Sequence, residues 1–153
     1  GFWMNSCETL GVFGESGCGK STVGRTILRL IEPTDGAIKI DGRDITKLSK
    51  AELRPYRSQM QIIVQDPFSS LDPRMSAVDI VAEPMRVHGT AKGADVKLKV
   101  AALFDRVGLR KAQMDAFPHQ FSGGPRQRIV IARALALTPK LIIGDEPVWA
   151  LDV

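Results

Sequence analysis

"GESGCGKS", residues Gly14 to Ser21, lies between the apolar run "ETLGVF" and a segment in which Val23, Ile27, Leu30 and Ile31 recur at helical spacing before Pro33. The run predicts a short strand, the recurrence predicts a helix, and the glycines between them predict a loop. In that context the spacing G-x-x-x-x-G-K-[ST], met by Gly14, Gly19, Lys20 and Ser21, has a physical meaning. Glycine allows successive backbone N–H groups to turn inward as a nest for an anion, and a helix start adds partial positive charge. Lys20 then reaches the outer phosphates of a nucleotide, and the Ser21 hydroxyl binds Mg²⁺. A glycine turn that merely precedes a lysine needs neither a strand before it nor a helix after it, so the phosphate loop is the stronger reading.

Outward from the loop, "GAIKIDGRDI" (36–45) alternates apolar and polar residues between glycines and predicts a hairpin-like strand. "QIIVQDP" (61–67) is a β-branched run stopped by Asp66-Pro67, which predicts a buried strand ending in a loop. From Pro67 to Pro118 the pattern becomes helical. Val96, Val100, Leu103, Phe104 and Val107 mark one face, and Gly108 is placed as its stop. "PRQRIVIARALAL" (125–137) predicts a helix with Pro125 at or near its first position and Pro139 beyond its end. "LIIGDEP" (141–147) predicts a buried strand that ends in two carboxylates. Strands alternating with helices imply a parallel sheet, interrupted here by a helical insert over 67–117.

The totals fit this picture. At 153 residues, with 44% apolar and 25% charged residues, the chain has the composition of one globular domain with room for a small subdomain. The formal net charge is +4, but Lys and Arg are scattered among Asp and Glu, which describes a solvated surface better than a nucleic-acid stripe. Two cysteines, Cys7 and Cys18, are too few for a disulfide framework, and a reducing compartment is expected. The sequence contains no apolar run of about 18 residues to span a bilayer, no signal-peptide pattern and no internal repeat.

Asp145 and Glu146 close the last apolar run. An aspartate at a strand end completes a Mg²⁺ shell, and an adjacent carboxylate orients and polarises the attacking water. Alone the pair would read as an acidic turn before Pro147; with a phosphate loop upstream the catalytic reading is stronger. A rival use of the glycines, with Ser16 as a strand-turn-helix nucleophile, requires G-x-S-x-G, and Cys18 occupies the fifth position. His88 and His119 have no evident orienting carboxylate, so esterase chemistry is disfavoured.

"GESGCGKST", "QDPFSSLDPR", "FSGGPRQR" and "LIIGDEPVWALD" follow one another in the order found in ABC-type ATPases, and through nearly its whole length the chain resembles the ATP-binding subunit of an oligopeptide or dipeptide importer. "EPMRVHG" and "FPHQFSGG" point to that branch. The resemblance implies an α/β P-loop NTPase fold, with an incomplete RecA-like parallel-sheet core over 1–66 and 118–153 and an α-helical subdomain over 67–117. It implies ATP and Mg²⁺ as ligands. Gly14, Ser16, Gly17, Cys18, Gly19, Lys20, Ser21 and Thr22 would hold the nucleotide. Ser122 and Gly124, with Gly123, match the signature motif that meets the γ-phosphate held by the opposite subunit. Ser21, Gln65 and Asp145 would serve the metal, and Lys20, Gln65 and Glu146 the chemistry. It further implies transmembrane permease subunits and a second ATP-binding subunit as partners, no nucleic acid, and a cytoplasmic place on the inner face of the cell membrane.

The family pattern is not kept everywhere. Pro125 stands where Gln is usual, and proline is compatible with a first helical turn but deletes an N–H and an amide near the phosphate. Trp149 replaces the small serine of a loop that packs across the dimer interface, and Gly144 is a lesser departure. Sequence that the family carries before "ETLGVF", with its adenine-stacking aromatic residue, and after Val153, with its switch histidine, has no counterpart here. Impaired turnover is therefore expected, as is a homo-oligomer, with exchanged elements covering the open sheet edges. A nucleotide-binding module without hydrolysis, and a non-transport ABC ATPase acting on DNA, are the alternatives.

Overall fold

A computed structural model of the chain describes residues 1–64 and 66–145. Two units are distinguished, Gly1–Arg57 and the chain from Ser58 onward.

In the first unit, α1 spans Lys20–Ile27 and α2 spans Lys50–Arg57. Strands β1 (Lys39–Ile40) and β2 (Arg43–Asp44) form an antiparallel pair, Lys39 opposite Asp44 and Ile40 opposite Arg43. The two residues between them, Asp41 and Gly42, have φ of 48° and 76°, the left-handed pair that a tight hairpin turn demands and that Asp-Gly supplies. The hairpin is the one expected from the alternation. α2 starts on a reciprocal cap: Glu52 accepts from the backbone N–H of Ser49 at 2.9 Å and from its hydroxyl at 2.7 Å. Leu28, Ile45 and Leu53 form the small buried centre of this unit.

Two expectations fail in this unit. Residues 8–13 form no strand, and Leu10, Val12 and Phe13 are exposed, Phe13 at 93%. An apolar run becomes a strand only when a neighbouring ladder takes its N–H and C=O groups, and the ladder in this unit is the short β1–β2 pair. The helix after the loop is also shorter than its apolar spacing suggested. It ends at Ile27, Arg29 takes a left-handed φ of 53°, and Leu30 and Ile31 are exposed.

In the second unit, β3 (Met60–Ile63) and β4 (Leu141–Gly144) lie parallel, in register from Met60 opposite Leu141 to Ile63 opposite Gly144. This is the parallel pairing expected from strands separated by helices. The intervening elements are α3 (Pro67–Ser70), α4 (Ala77–His88), α5 (Ala94–Arg106) and α6 (Gly123–Leu135), with 3₁₀ turns at Lys111–Gln113 and Pro118–Gln120. α4 is capped by Ser76, whose hydroxyl donates to Asp79 at 2.6 Å, and closed by Gly89 at φ 67°. The predicted face of α5 is the buried one: Val96, Val100 and Phe104 lie inside, and Gly108 follows at φ 74°. They meet Ile80, Val81 and Met85 of α4 and Ile129 and Val130 of α6 in one continuous core. Arg133 of α6 carries its guanidinium into this region and donates to the Ser70 carbonyl at 2.8 Å; burial lowers its pKa.

Phe104 is fully buried, so Phe104→Ala removes a large side chain and leaves a cavity among three helices. The unfolding free energy is expected to fall by about 3–5 kcal/mol, read from the urea midpoint; a loss below about 1 kcal/mol would contradict this packing.

Candidate functional site

The glycine loop is built by its own side chains and backbone. Gly17 and Gly19 take φ of 80° and 97°, values that a Cβ strongly disfavours. Gly19 is also the N-cap of α1, so the chain enters the helix through a left-handed residue and no side chain caps the first turn. A Cβ added at Gly14 would lie 2.6 Å from the Cys18 sulfur, so at this position closeness of approach requires the glycine. The Cys18 N–H closes a turn on the Glu15 carbonyl at 3.3 Å.

Lys20 folds back over this loop. Its Nζ donates to the carbonyls of Gly14 at 2.8 Å and Glu15 at 2.7 Å, and lies 3.8 Å from the Cys18 sulfur. One ammonium thus ties the first turn of the loop to the first turn of the helix, and the loop cannot open without breaking charge-assisted bonds. Gly14, Cys18 and Lys20, three of the residues named from the sequence, are brought into contact. Ser16 and Gly17 lie on the same exposed stretch, and Ser21 and Thr22 follow in the first turn of α1, also exposed. The contribution of Glu15 is its carbonyl, which no side-chain pattern marks.

In the second unit, Asp145 follows directly on β4 and its N–H donates to the Ile63 carbonyl at 2.9 Å, which continues the β3–β4 ladder by one bond. The carboxylate is therefore carried at the end of a paired strand and is half-buried. Ser122 is the N-cap of α6, with Gly123, Gly124 and Pro125 as its first three residues. The helix starts two residues before the proline and tolerates it there, because first-turn N–H groups have no partner one turn back. A capping hydroxyl accepts from the second or third helical N–H. Pro125 occupies the third position and has none, and Ser122 makes no side-chain cap. The buried side chains of Pro118 and Phe121 anchor the approach to this turn, and Arg126 holds it by donating Nε–H to the Pro118 carbonyl at 2.7 Å. Gln65 and Glu146, named for the metal and for the water, lie outside the described residues, as does Trp149.

Ser21 in the first unit and Asp145 in the second each carry a hard oxygen donor, and among the described residues no cluster of three or more His, Cys, Asp or Glu side chains is placed to hold a metal. Mg²⁺ characteristically takes one or two protein oxygens and completes its shell with phosphate and water.

The family profile described as "ABC transporter" matches residues 1–149. The oligopeptide transport ATP-binding protein AppF of Bacillus subtilis (strain 168) is 52% identical over 153 residues, covering 99% of this chain and 46% of AppF. The glutathione import ATP-binding protein GsiA of Escherichia coli (strain K12) is 54% identical over 146 residues, 95% of this chain and 23% of GsiA. The chain thus spans less than half the length of these relatives. Among solved structures, a dimeric post-hydrolysis state of the ATP-binding cassette MJ0796 bound to ADP and Pi superposes with a TM-score of 0.79 at 33% identity, over 90% of this chain and 60% of that one. A second dimeric structure of MJ0796, described as a bacterial ABC transporter cassette, gives 0.76 at 32% identity.

The contact between residues 14 and 18 predicts a rescue. Gly14→Ala is expected to weaken nucleotide binding by at least about tenfold, since the new methyl meets the thiol and shifts the turn on which Lys20 rests. Adding Cys18→Ala leaves only a Cβ, at 3.9 Å, and is expected to restore most of the affinity in a fluorescent-nucleotide titration. A double variant no better than the single one would show that the contact does not set the loop.

Proposed function

The chain belongs to the ABC transporter family, and from that premise we propose that it is the ATP-binding and ATP-hydrolysing part of a peptide-importer subunit. The observation that carries the proposal is the loop: two left-handed glycines, no side-chain cap on α1, and an ammonium fixed above them. The identities to AppF and GsiA, both named as ATP-binding proteins of importers, support the importer branch. Among the described residues no helix is long and apolar enough to cross a membrane, and the transmembrane path is assigned to permease subunits. The chain would then act at the inner face of the cell membrane.

Each residue has a physical role in this proposal. Backbone N–H groups from Gly17 to Ser21, with Ser16 and Thr22 beside them, receive phosphate oxygens, and Lys20 adds a full positive charge against the β and γ positions. Ser21, Gln65 and Asp145 hold Mg²⁺, which supplies neutralisation of phosphate charge. Glu146 accepts a proton from the attacking water, and Gln65 orients that water. Ser122, Gly123 and Gly124 present N–H groups and a hydroxyl to the nucleotide of a second copy, so hydrolysis needs two chains. The dimeric state of MJ0796 supports that pairing. Residues 67–117 are assigned to the helical subdomain that meets the permease.

A second reading, nucleotide binding without turnover, is favoured by one observation: Pro125 deletes a donor from the first turn of α6, beside the signature residues. Glu146→Gln separates the two, because loss of turnover with unchanged MgATP affinity requires a working hydrolytic site. For a DNA-acting ATPase, added DNA would alter turnover; unaltered turnover removes that alternative.

Lys20→Ala is expected to weaken MgATP binding by at least about tenfold, the equivalent of one charge-assisted hydrogen bond, in isothermal titration. Equal affinity in the variant would remove the loop from the site. Pro125→Gln is expected to strengthen ATP-dependent dimerisation, and the same dimer constant in equilibrium sedimentation would count against a role for this position.

A further inference from the structure

A cleft of about 600 Å³ opens in the first unit beside the C-terminal end of α1, within the size range of small-molecule sites. Its lining carries three cations, Arg29, Lys50 and Arg57, against one carboxylate, Glu32. Arg29 is the unusual member. Its side chain is only 5% exposed, its backbone is left-handed at φ 53°, and a residue with a Cβ holds that conformation only where its surroundings enforce it.

The hydrogen bonds of Arg29 are unevenly distributed. Nη1 donates to the Ile45 carbonyl. Nη2 donates to Glu32 Oε2 at 2.8 Å and, more weakly, to the Leu48 carbonyl at 3.4 Å. Nε is buried and has no partner among the described residues. Covalent geometry places Nε–H and the outer Nη2–H on one edge of the guanidinium, the edge that pairs with two oxygens of a carboxylate or phosphate at once. A single Glu32 oxygen uses half of that edge, and the Glu32 side chain is 78% exposed, so it can swing into solvent. Arg57 is held by the carbonyls of Leu28 and Arg29. Burial lowers its pKa first and the adjacent Arg29 charge second, which marks two guanidinium groups close enough to repel.

Holding the two carbonyls that follow α1, Leu28 and Arg29, accounts for the Arg57 bonds, but not for the orphan Nε of Arg29 or for the excess of cations. We propose that this cleft binds a small organic dianion, whose headgroup takes Nε and Nη2 of Arg29 together and displaces Glu32, while a short apolar body rests on Leu48 and Leu53. Phosphomonoesters and dicarboxylates share that headgroup chemistry. The site is separate from the glycine loop and does not depend on its reading as a nucleotide site.

Phenyl phosphate and phthalate serve as probes, titrated calorimetrically into the full chain carrying Lys20→Ala to suppress the loop. Saturable one-to-one binding of either is expected, and the tighter probe identifies the headgroup. Glu32→Gln, which removes the competing carboxylate, should tighten binding about threefold, and Lys50→Ala should weaken it by a similar factor. Arg29→Gln should abolish binding; because Arg29 also ties Ile45 and Leu48, the Glu32 and Lys50 variants, whose side chains make no such ties, decide the case if it unfolds. Absence of saturation below about 10 mM, or affinity indifferent to both Glu32→Gln and Lys50→Ala, would overturn the proposal.

Discussion

Burial along α6 is the constraint on which the larger unit depends. Ile129, Val130, Ala132 and Ala134 are all inside, and the helix packs on α3, α4, α5 and β3. Its small residues, Ala132 and Ala134, permit close approach, while Ile129 and Val130 fill the space against Phe104 and Val100. The buried positions run from Gln127 to Ala134, and the exposed Ser122 and Gly123 extend from that packed stretch as its first turn. The same core supports β3, whose Ile63 carbonyl holds the backbone of Asp145.

Legibility in the sequence followed the range of the interactions involved. The face of α5 from Val96 to Phe104, the hairpin within residues 36–45, the two β-branched strands and the glycine loop were legible because local periodicity or a special φ value specifies them, although the strand at 141–144, expected to be buried, leaves Ile142 and Gly144 exposed. α2 was not anticipated, although Ser49 and Glu52 spell the cap that starts it and Pro55 lies inside it. The strand expected at residues 8–13 was misread for a different reason. Alternation and apolar content state that a segment can pair, but pairing needs a partner, and no local pattern reveals whether one is present.

The candidate site was legible to a similar extent. The loop was found because its spacing matches that of a phosphate loop, and Lys20 closes on Gly14, one of the residues that the spacing selects. Glu15 was not found, since its contribution is a carbonyl common to every residue. Arg29 was not found because its burial follows from the end of α1 at Ile27, two residues earlier than its position, and the spacing of Val23, Ile27, Leu30 and Ile31 predicted that the helix would continue. The left-handed step at Arg29 turns Leu30 and Ile31 outward and the guanidinium inward, reversing the pattern on which the expectation rested.

The electrostatics of the helix starts connect the two places where phosphate is assigned. α2, α4 and α5 carry Glu52, Asp79 and Asp95 in their first turns, whereas α1 and α6 carry no acid there. A first-turn carboxylate offsets the positive end of the helix dipole and stabilises an isolated helix, so its absence from α1 and α6 forgoes a local gain. Neither of these helices has a side-chain cap: one starts at a left-handed glycine, the other at a serine whose third-position donor is replaced by proline. An acid at either start would repel a phosphate that the bare N–H groups attract. The absence of a first-turn acid is shared by α3, and the absence of a side-chain cap by α5, which starts at Gly93. What sets α1 and α6 apart is that both features coincide there, next to Lys20 and Ser122, where the proposed function brings phosphate.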